Sequence, residues 1–237
     1  MGAEIQGGME RGSFVDADRR RSTDALRAHF PMAFKIGFWV CIAIAVAAVL
    51  RRIVALSSSP DSHAPPQLAS LDASFASYAT LTYIHILCSL AFVLLLPLLF
   101  WRRTRGWVYL EPAFFFLGAI VGGTAYAMSI HAVGGWVERS AVLTFNTLFL
   151  TSLARALLYK RRNDHENKQR WMLRAIAILL GIATTRPVMG VFFATSRLTG
   201  LTPKQFFGIA FWIGFSLNTL VMEFWLRKRN VPASATP

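Results

Sequence analysis

The sequence predicts an all-α, polytopic membrane protein, a bundle of six transmembrane helices, and three observations carry that expectation. Apolar residues, 54% of the chain, gather into runs of about 18–24 residues, the length a helix needs to cross a hydrocarbon core of about 30 Å. Basic residues fall between the runs and alternate in number from one connection to the next, as topology-setting charges do. Tyr78, Trp101, Trp107, Tyr109, Trp136, Tyr159, Trp171 and Trp225 stand near run ends, where amphipathic rings prefer the headgroup level.

Residues 1–32 mix Glu10, Arg11, Asp16, Asp18 and Arg19 to Arg21 without an apolar period. They read as a flexible tail, with room for a short interfacial turn near Leu26 to Pro31. The first span runs over 33–50, extending towards Leu56, and a Ser-, Pro- and Ala-rich loop follows over 57–77. The second span, 78–100, is closed by Trp101, Arg102 and Arg103; the third, 108–130, ends before Gly134 and Gly135. The fourth, 141–159, stops at Lys160, Arg161 and Arg162; the fifth covers 172–195 and the sixth 206–226, closed by Arg227, Lys228 and Arg229. Residues 33–229 thus form one transmembrane domain, with 230–237 as a C-terminal tail. Trp39 and Trp212, deeper in their runs, read as packing residues.

If the N-terminus is placed inside, inner segments hold 17 of the 25 Lys and Arg, counting Lys35 with the N-terminal group. Arg51, Arg52, Arg139, Arg197 and Lys204 fall outside, and Arg155, Arg174 and Arg186 within spans. This asymmetry puts both termini on the cytoplasmic side of a bacterial inner membrane. It also accounts for the net charge of +13 without nucleic acid, which would need basic residues on one face of a folded domain. The first apolar run follows some thirty polar residues and lacks a small-residue cleavage site, so it reads as an anchor. Cys41 and Cys88 both lie in apolar runs and form neither a disulfide framework nor a metal pattern.

Ionisable groups within spans cost about 2.5–3.5 kcal/mol at mid-helix, so each needs an explanation. Glu111, Arg155, Arg174 and Glu223 form an inner polar layer near the cytoplasmic helix ends, two acids and two bases able to pair. A second layer holds His85, Asn146, Arg186 and Asn218 as candidate ligand-binding residues. Arg186 is the sharpest of these: about fourteen positions into its span, it is too deep to snorkel, and Pro187 beside it removes a helical hydrogen bond. A guanidinium there suits an anion, a carbonyl or a helix C-terminus. Residue counting puts Asn218 at the same depth, making it a candidate first partner, with Glu223 placed to answer Arg174.

Bundle haems take axial histidines, and His85 is placed for one. His131, its nearest companion, lies about 6–9 Å closer to the outer surface by residue count, a poor match. The cofactor is therefore left unassigned, with no stoichiometric haem expected. The residues contain no catalytic triad, phosphate loop or zinc pattern, and an enzyme is not expected.

Certain residues give the chain a family resemblance: Tyr83-Ile84-His85-Ile86; Arg103, Gly106 and Tyr109; Arg170-Trp171-Met172-Leu173-Arg174; Arg186; and Trp212, Asn218 and Glu223. Over Tyr83 to Trp225 the chain resembles the domain-of-unknown-function 2306 family of bacterial membrane proteins. The resemblance implies the membrane fold and no particular reaction. Two family histidines are replaced, by Arg102 after the second span and by Lys168 before the fifth. A metal or haem role built on them would not carry over, whereas a phosphate or headgroup contact would.

The functional expectation is a membrane protein that binds or moves a small solute or lipid through a polar cluster between the second, fifth and sixth spans. Its expected partners are membrane lipid and a small-molecule or anionic ligand. The alternatives are a haem- or quinone-linked electron-transfer protein and a structural or assembly partner in the membrane.

Overall fold

The computed structural model describes residues 31–57, 78–100 and 108–229. The N-terminal tail before Pro31, the 57–77 loop beyond Ser57, the Arg102–Arg103–Gly106 motif and the C-terminal tail lie outside them. The chain divides into two units, Met1–Val40 and Cys41–Pro237. The described part of the first is the opening of helix α1 (Met32–Ser57), where Phe38 meets Trp39 edge-on with ring centroids 5.8 Å apart.

The second unit carries the rest of α1 and α2 (Ala79–Phe100), α3 (Leu110–Ser129), α4 (Gly135–Arg161), α5 (His165–Thr199) and α6 (Pro203–Lys228). Among the described residues these six helices are all long and apolar enough to cross a membrane. Large apolar side chains face outwards all round (Leu87, Phe116, Leu148, Val191 and Leu220 are all exposed), which suits lipid as the surroundings. Trp39 belongs with them, 56% exposed, whereas Trp212 packs as expected, edge-on against Phe145 with ring centroids 5.4 Å apart, and donates its Nε1–H to Ser140 Oγ at 3.3 Å.

Local chemistry sets the helix limits. Asp164 caps α5 by accepting from the Asn167 backbone N–H at 3.0 Å and from its side-chain amide at 2.7 Å. Those two donors hold the Asp164 carboxyl below its ordinary range. At the far end Gly200 takes the left-handed conformation, φ 66°, that terminates helices. Helix α6 starts on a capping box between Thr202 and Gln205, with Pro203 in the first turn. Helix α5, at 35 residues, extends well beyond its apolar run and is about 52 Å long.

Helix α4 starts six residues before the run that signalled it. Gly134 and Gly135, which looked like the end of a span, introduce the next one. Their turn is held by Glu138, whose Oε2 accepts from the Gly134 N–H at 2.5 Å. A carboxylate in a first helical turn also sits well with the helix dipole.

Helix α5 packs against α4 and α6, α4 also meets α6, and α3 bridges α2 and α4. Small residues permit the close crossings, as in membrane bundles generally. A Cβ on Gly214 of α6 would lie 2.6 Å from Thr185 Cγ2 and 2.7 Å from its backbone N. One on Gly208 would lie 2.6 Å from the Glu138 backbone N, so α6 presses directly on the start of α4.

Candidate functional site

The two polar layers expected from sequence occupy opposite ends of the second unit, and their chemistry differs. At the end where α3 and α5 begin and α4 and α6 finish, the charges are paired. Glu111 accepts from Lys168 Nζ at 3.1 and 3.2 Å and lies 3.4 Å from Lys160 Nζ. Arg174 donates from Nε and Nη2 to the two carboxylate oxygens of Glu223, the pairing that counting along the helices predicts. Arg155 is held by an aromatic face: its guanidinium lies 4.8 Å from the centroid of Trp171, with that of Arg174 4.4 Å from the same ring. Lys168 is thus the closer of the two lysines at Glu111.

At the other end the helices enclose a cavity of about 330 Å³, within the range of small-molecule sites. Each helix contributes a stripe at three- or four-residue spacing. Helix α5 presents Ile178, Ile182 and Arg186; α6 presents Phe207, Phe211 and Phe215; α4 presents Glu138, Val142, Phe145 and Phe149. Helix α2 supplies Thr82, His85, Ser89 and Val93, and α1 supplies Ala45, Ala48, Arg51 and Arg52.

Arg186 lines this cavity without a hydrogen bond or ion pair to any described residue. Its Nε is buried and unpartnered, as is Ser89 Oγ across the same space. Buried polar atoms are nearly always satisfied, so orphans on one cavity wall mark a place where something polar belongs. Arg186 lies within electrostatic range of Glu138, Arg51 and Arg52, yet the Glu138 carboxylate is already engaged by Gly134.

His85 also faces the cavity. Thr124 donates its hydroxyl proton to the Ile120 carbonyl at 2.8 Å, so its oxygen accepts the 2.8 Å bond from His85 Nδ1–H. In the neutral imidazole Nε2 is then a bare acceptor, and no described residue donates to it. His131 lines the same cavity, but its ring lies flat on Tyr78, centroids 3.6 Å apart. Among the described residues no group of three His, Cys, Asp or Glu is placed to hold a metal ion. Asn146 lines the cavity too and ties α4 to α3, donating to the Gly122 carbonyl at 2.9 Å.

Asn218 does not join this site. Its Oδ1 accepts from Thr184 Oγ1 at 2.9 Å and its amide donates to the Ala177 carbonyl at 3.4 Å. Thr184 and Arg186 are two residues apart, about 200° around the helix. Asn218 therefore has the right depth but meets α5 on the wrong side to reach Arg186. The expected cluster of α2, α5 and α6 becomes one of all six helices, without Asn218. Glu138, Ser89, Thr82 and Ser129 are polar lining residues the sequence did not single out, and it marks Arg51 and Arg52 only as outer charges. Glu138 was obscured because its turn looked like a loop.

The family model for the predicted membrane proteins of DUF2306 matches residues 82–226, from Thr82 at one wall of the cavity to the end of α6. No curated protein and no solved structure matches the chain. The match spans more than half of the sequence, so this chain belongs to the DUF2306 family of membrane proteins.

Proposed function

We propose that this protein binds, or moves, a small solute or lipid in the cavity at the Arg186 end of the bundle. With both termini in the cytoplasm of a bacterium, that end is the periplasmic half of the inner membrane. The observation that carries the reading is Arg186: a half-buried guanidinium in a membrane-spanning helix, lining a cavity, with no hydrogen-bonding partner among the described residues. A structural arginine would be expected to resemble Arg174, which is fully engaged by its neighbour. A ligand-holding one is left open until its ligand arrives. Nothing about the arrangement calls for a reaction, and a binding or transport role suffices.

The test is thermal unfolding of purified wild type, Arg186→Leu and Arg186→Ala in neutral detergent, with and without membrane lipid extract. Ligand at a hundredfold excess over its dissociation constant stabilises by about 2.7 kcal/mol. The expected result is a rise in Tm for the wild type that both variants lose, while their own Tm without lipid stays near the wild-type value. Large destabilisation of both variants in the absence of lipid would refute the reading.

An electron-transfer role has one observation in its favour, the bare Nε2 of His85 facing the cavity. An absorption spectrum of the purified protein separates the two: a Soret band abolished by His85→Ala would favour haem, and its absence is the expected result.

A further inference from the structure

Three polar atoms on the cavity walls lack a hydrogen-bond partner among the described residues, and they differ in what they require. Arg186 Nε is buried and can only donate. Ser89 Oγ, also buried, can donate or accept. His85 Nε2, in the neutral ring, can only accept. The tautomer is fixed because the Thr124 hydroxyl gives its proton to the Ile120 or Val121 carbonyl, at 2.8 and 3.1 Å, and so receives the Nδ1 proton. His85 and Ser89 are one turn apart on one face of α2, about 6 Å along its axis.

This mixture narrows the chemistry of an occupant. An apolar molecule leaves all three atoms bare. A carboxylate, a phosphate or a quinone carbonyl offers acceptors only, and it leaves His85 Nε2 as a buried unsatisfied group, which is costly. An alkylammonium offers donors only and fails Arg186. A hydroxyl serves both needs, giving its proton to His85 Nε2 and its lone pairs to Arg186 or Ser89. The rest of the lining includes an aromatic wall. On α6 the rings of Phe207, Phe211 and Phe215 follow one another with centroids 6.0 and 5.8 Å apart. Phe215 stacks on Phe145 of α4 at 5.3 Å and 17°. Such a wall can take a further ring edge-on or offset.

Resting on the binding reading above, we propose that the ligand is phenolic: a ring whose hydroxyl donates to His85 Nε2 and accepts from Arg186 or Ser89, lying against the phenylalanines of α4 and α6. A membrane hydroquinone and a free phenolic solute share this chemistry, and an oxidised quinone lacks it. The ligand is bound as it is, with no covalent bond formed or broken.

Concentration-dependent shifts in Tm of purified wild type, in neutral detergent under argon, test this with decylhydroquinone, its dimethyl ether, decylbenzoquinone, dodecanol and 4-ethylphenol. Decylhydroquinone should bind about tenfold more tightly than its ether or the benzoquinone, the effect of one hydrogen bond to a buried acceptor. It should also bind more tightly than dodecanol. His85→Ala should bring the hydroquinone and its ether to equal affinity. A shift with 4-ethylphenol as well supports the phenolic class and assigns it to free solutes. A shift with the hydroquinone alone supports the class and assigns it to membrane quinols. Equal binding of the hydroquinone and its ether by wild type overturns the hydroxyl while leaving the cavity as a binding site. Dodecanol matching the hydroquinone overturns the ring. If none of these probes shifts Tm but lipid extract does, the phenolic class is wrong; if extract also fails, the binding reading falls with it. The wild-type series decides the matter even if His85→Ala does not purify.

Discussion

Arg174 and Arg186 sit twelve residues apart on one helix, and their surroundings could hardly differ more. Arg174 forms two hydrogen bonds to Glu223 and lies against Trp171. Arg186 lines a cavity with its Nε buried and unpartnered. The same contrast separates the two ends of the bundle. Around Glu111, Lys160, Lys168, Arg174 and Glu223 the ionic groups answer one another. On the cavity wall, by contrast, Arg186 Nε and Ser89 Oγ are buried without a hydrogen-bond partner. Since an unpaired charge in a membrane helix is costly, the first arrangement stabilises the fold, and the second is where the proposed ligand would be held.

The largest expected effect comes from breaking the paired end. Glu223→Leu strands the Arg174 guanidinium among helices and should cost about 3 kcal/mol. Arg174→Leu combined with Glu223→Leu should recover most of that loss, because a full apolar replacement is tolerated better than half a pair. A double-mutant cycle read by thermal unfolding measures the coupling. An additive cycle would mean that the paired end is not held by this contact.

A smaller effect is expected where the helices that frame both ends cross. Gly214→Val places new atoms where Thr185 already stands, and overpacking of this kind costs about 1–3 kcal/mol. Because α5 would shift against α6 near Arg186, the substitution should also weaken the stabilisation by lipid extract. Melting with and without extract gives both numbers. Unchanged stability would show that the α5–α6 crossing is looser than its geometry.

The six helices were legible from run length and charge asymmetry, because the membrane imposes one length on every span and leaves few alternatives. The pairing of Arg174 with Glu223 followed from depth alone. Depth was not enough for Asn218, which turned out to face Thr184 and Ala177 on the far side of α5. Residue counting gives height along a helix to within a turn, but which faces meet depends on packing that one sequence does not display. Glu138 was missed for a different reason. Two glycines and a charged turn carry loop chemistry, and only the bond from the Gly134 N–H to the Glu138 carboxylate shows that they open a helix. The cavity itself was not legible, since each of its walls is an ordinary stripe along an apolar helix and only their convergence makes a site.

The most direct test of the contrast applies one change at two places. Arg174→Leu and Arg186→Leu remove the same charge from the same helix, and their Tm can be compared with wild type in neutral detergent without lipid. The account predicts a marked loss for Arg174→Leu, which leaves Glu223 unpaired, and little change or a rise for Arg186→Leu, which relieves an unpartnered guanidinium. Equal destabilisation by the two substitutions would contradict it, because Arg186 would then be a structural member of the bundle.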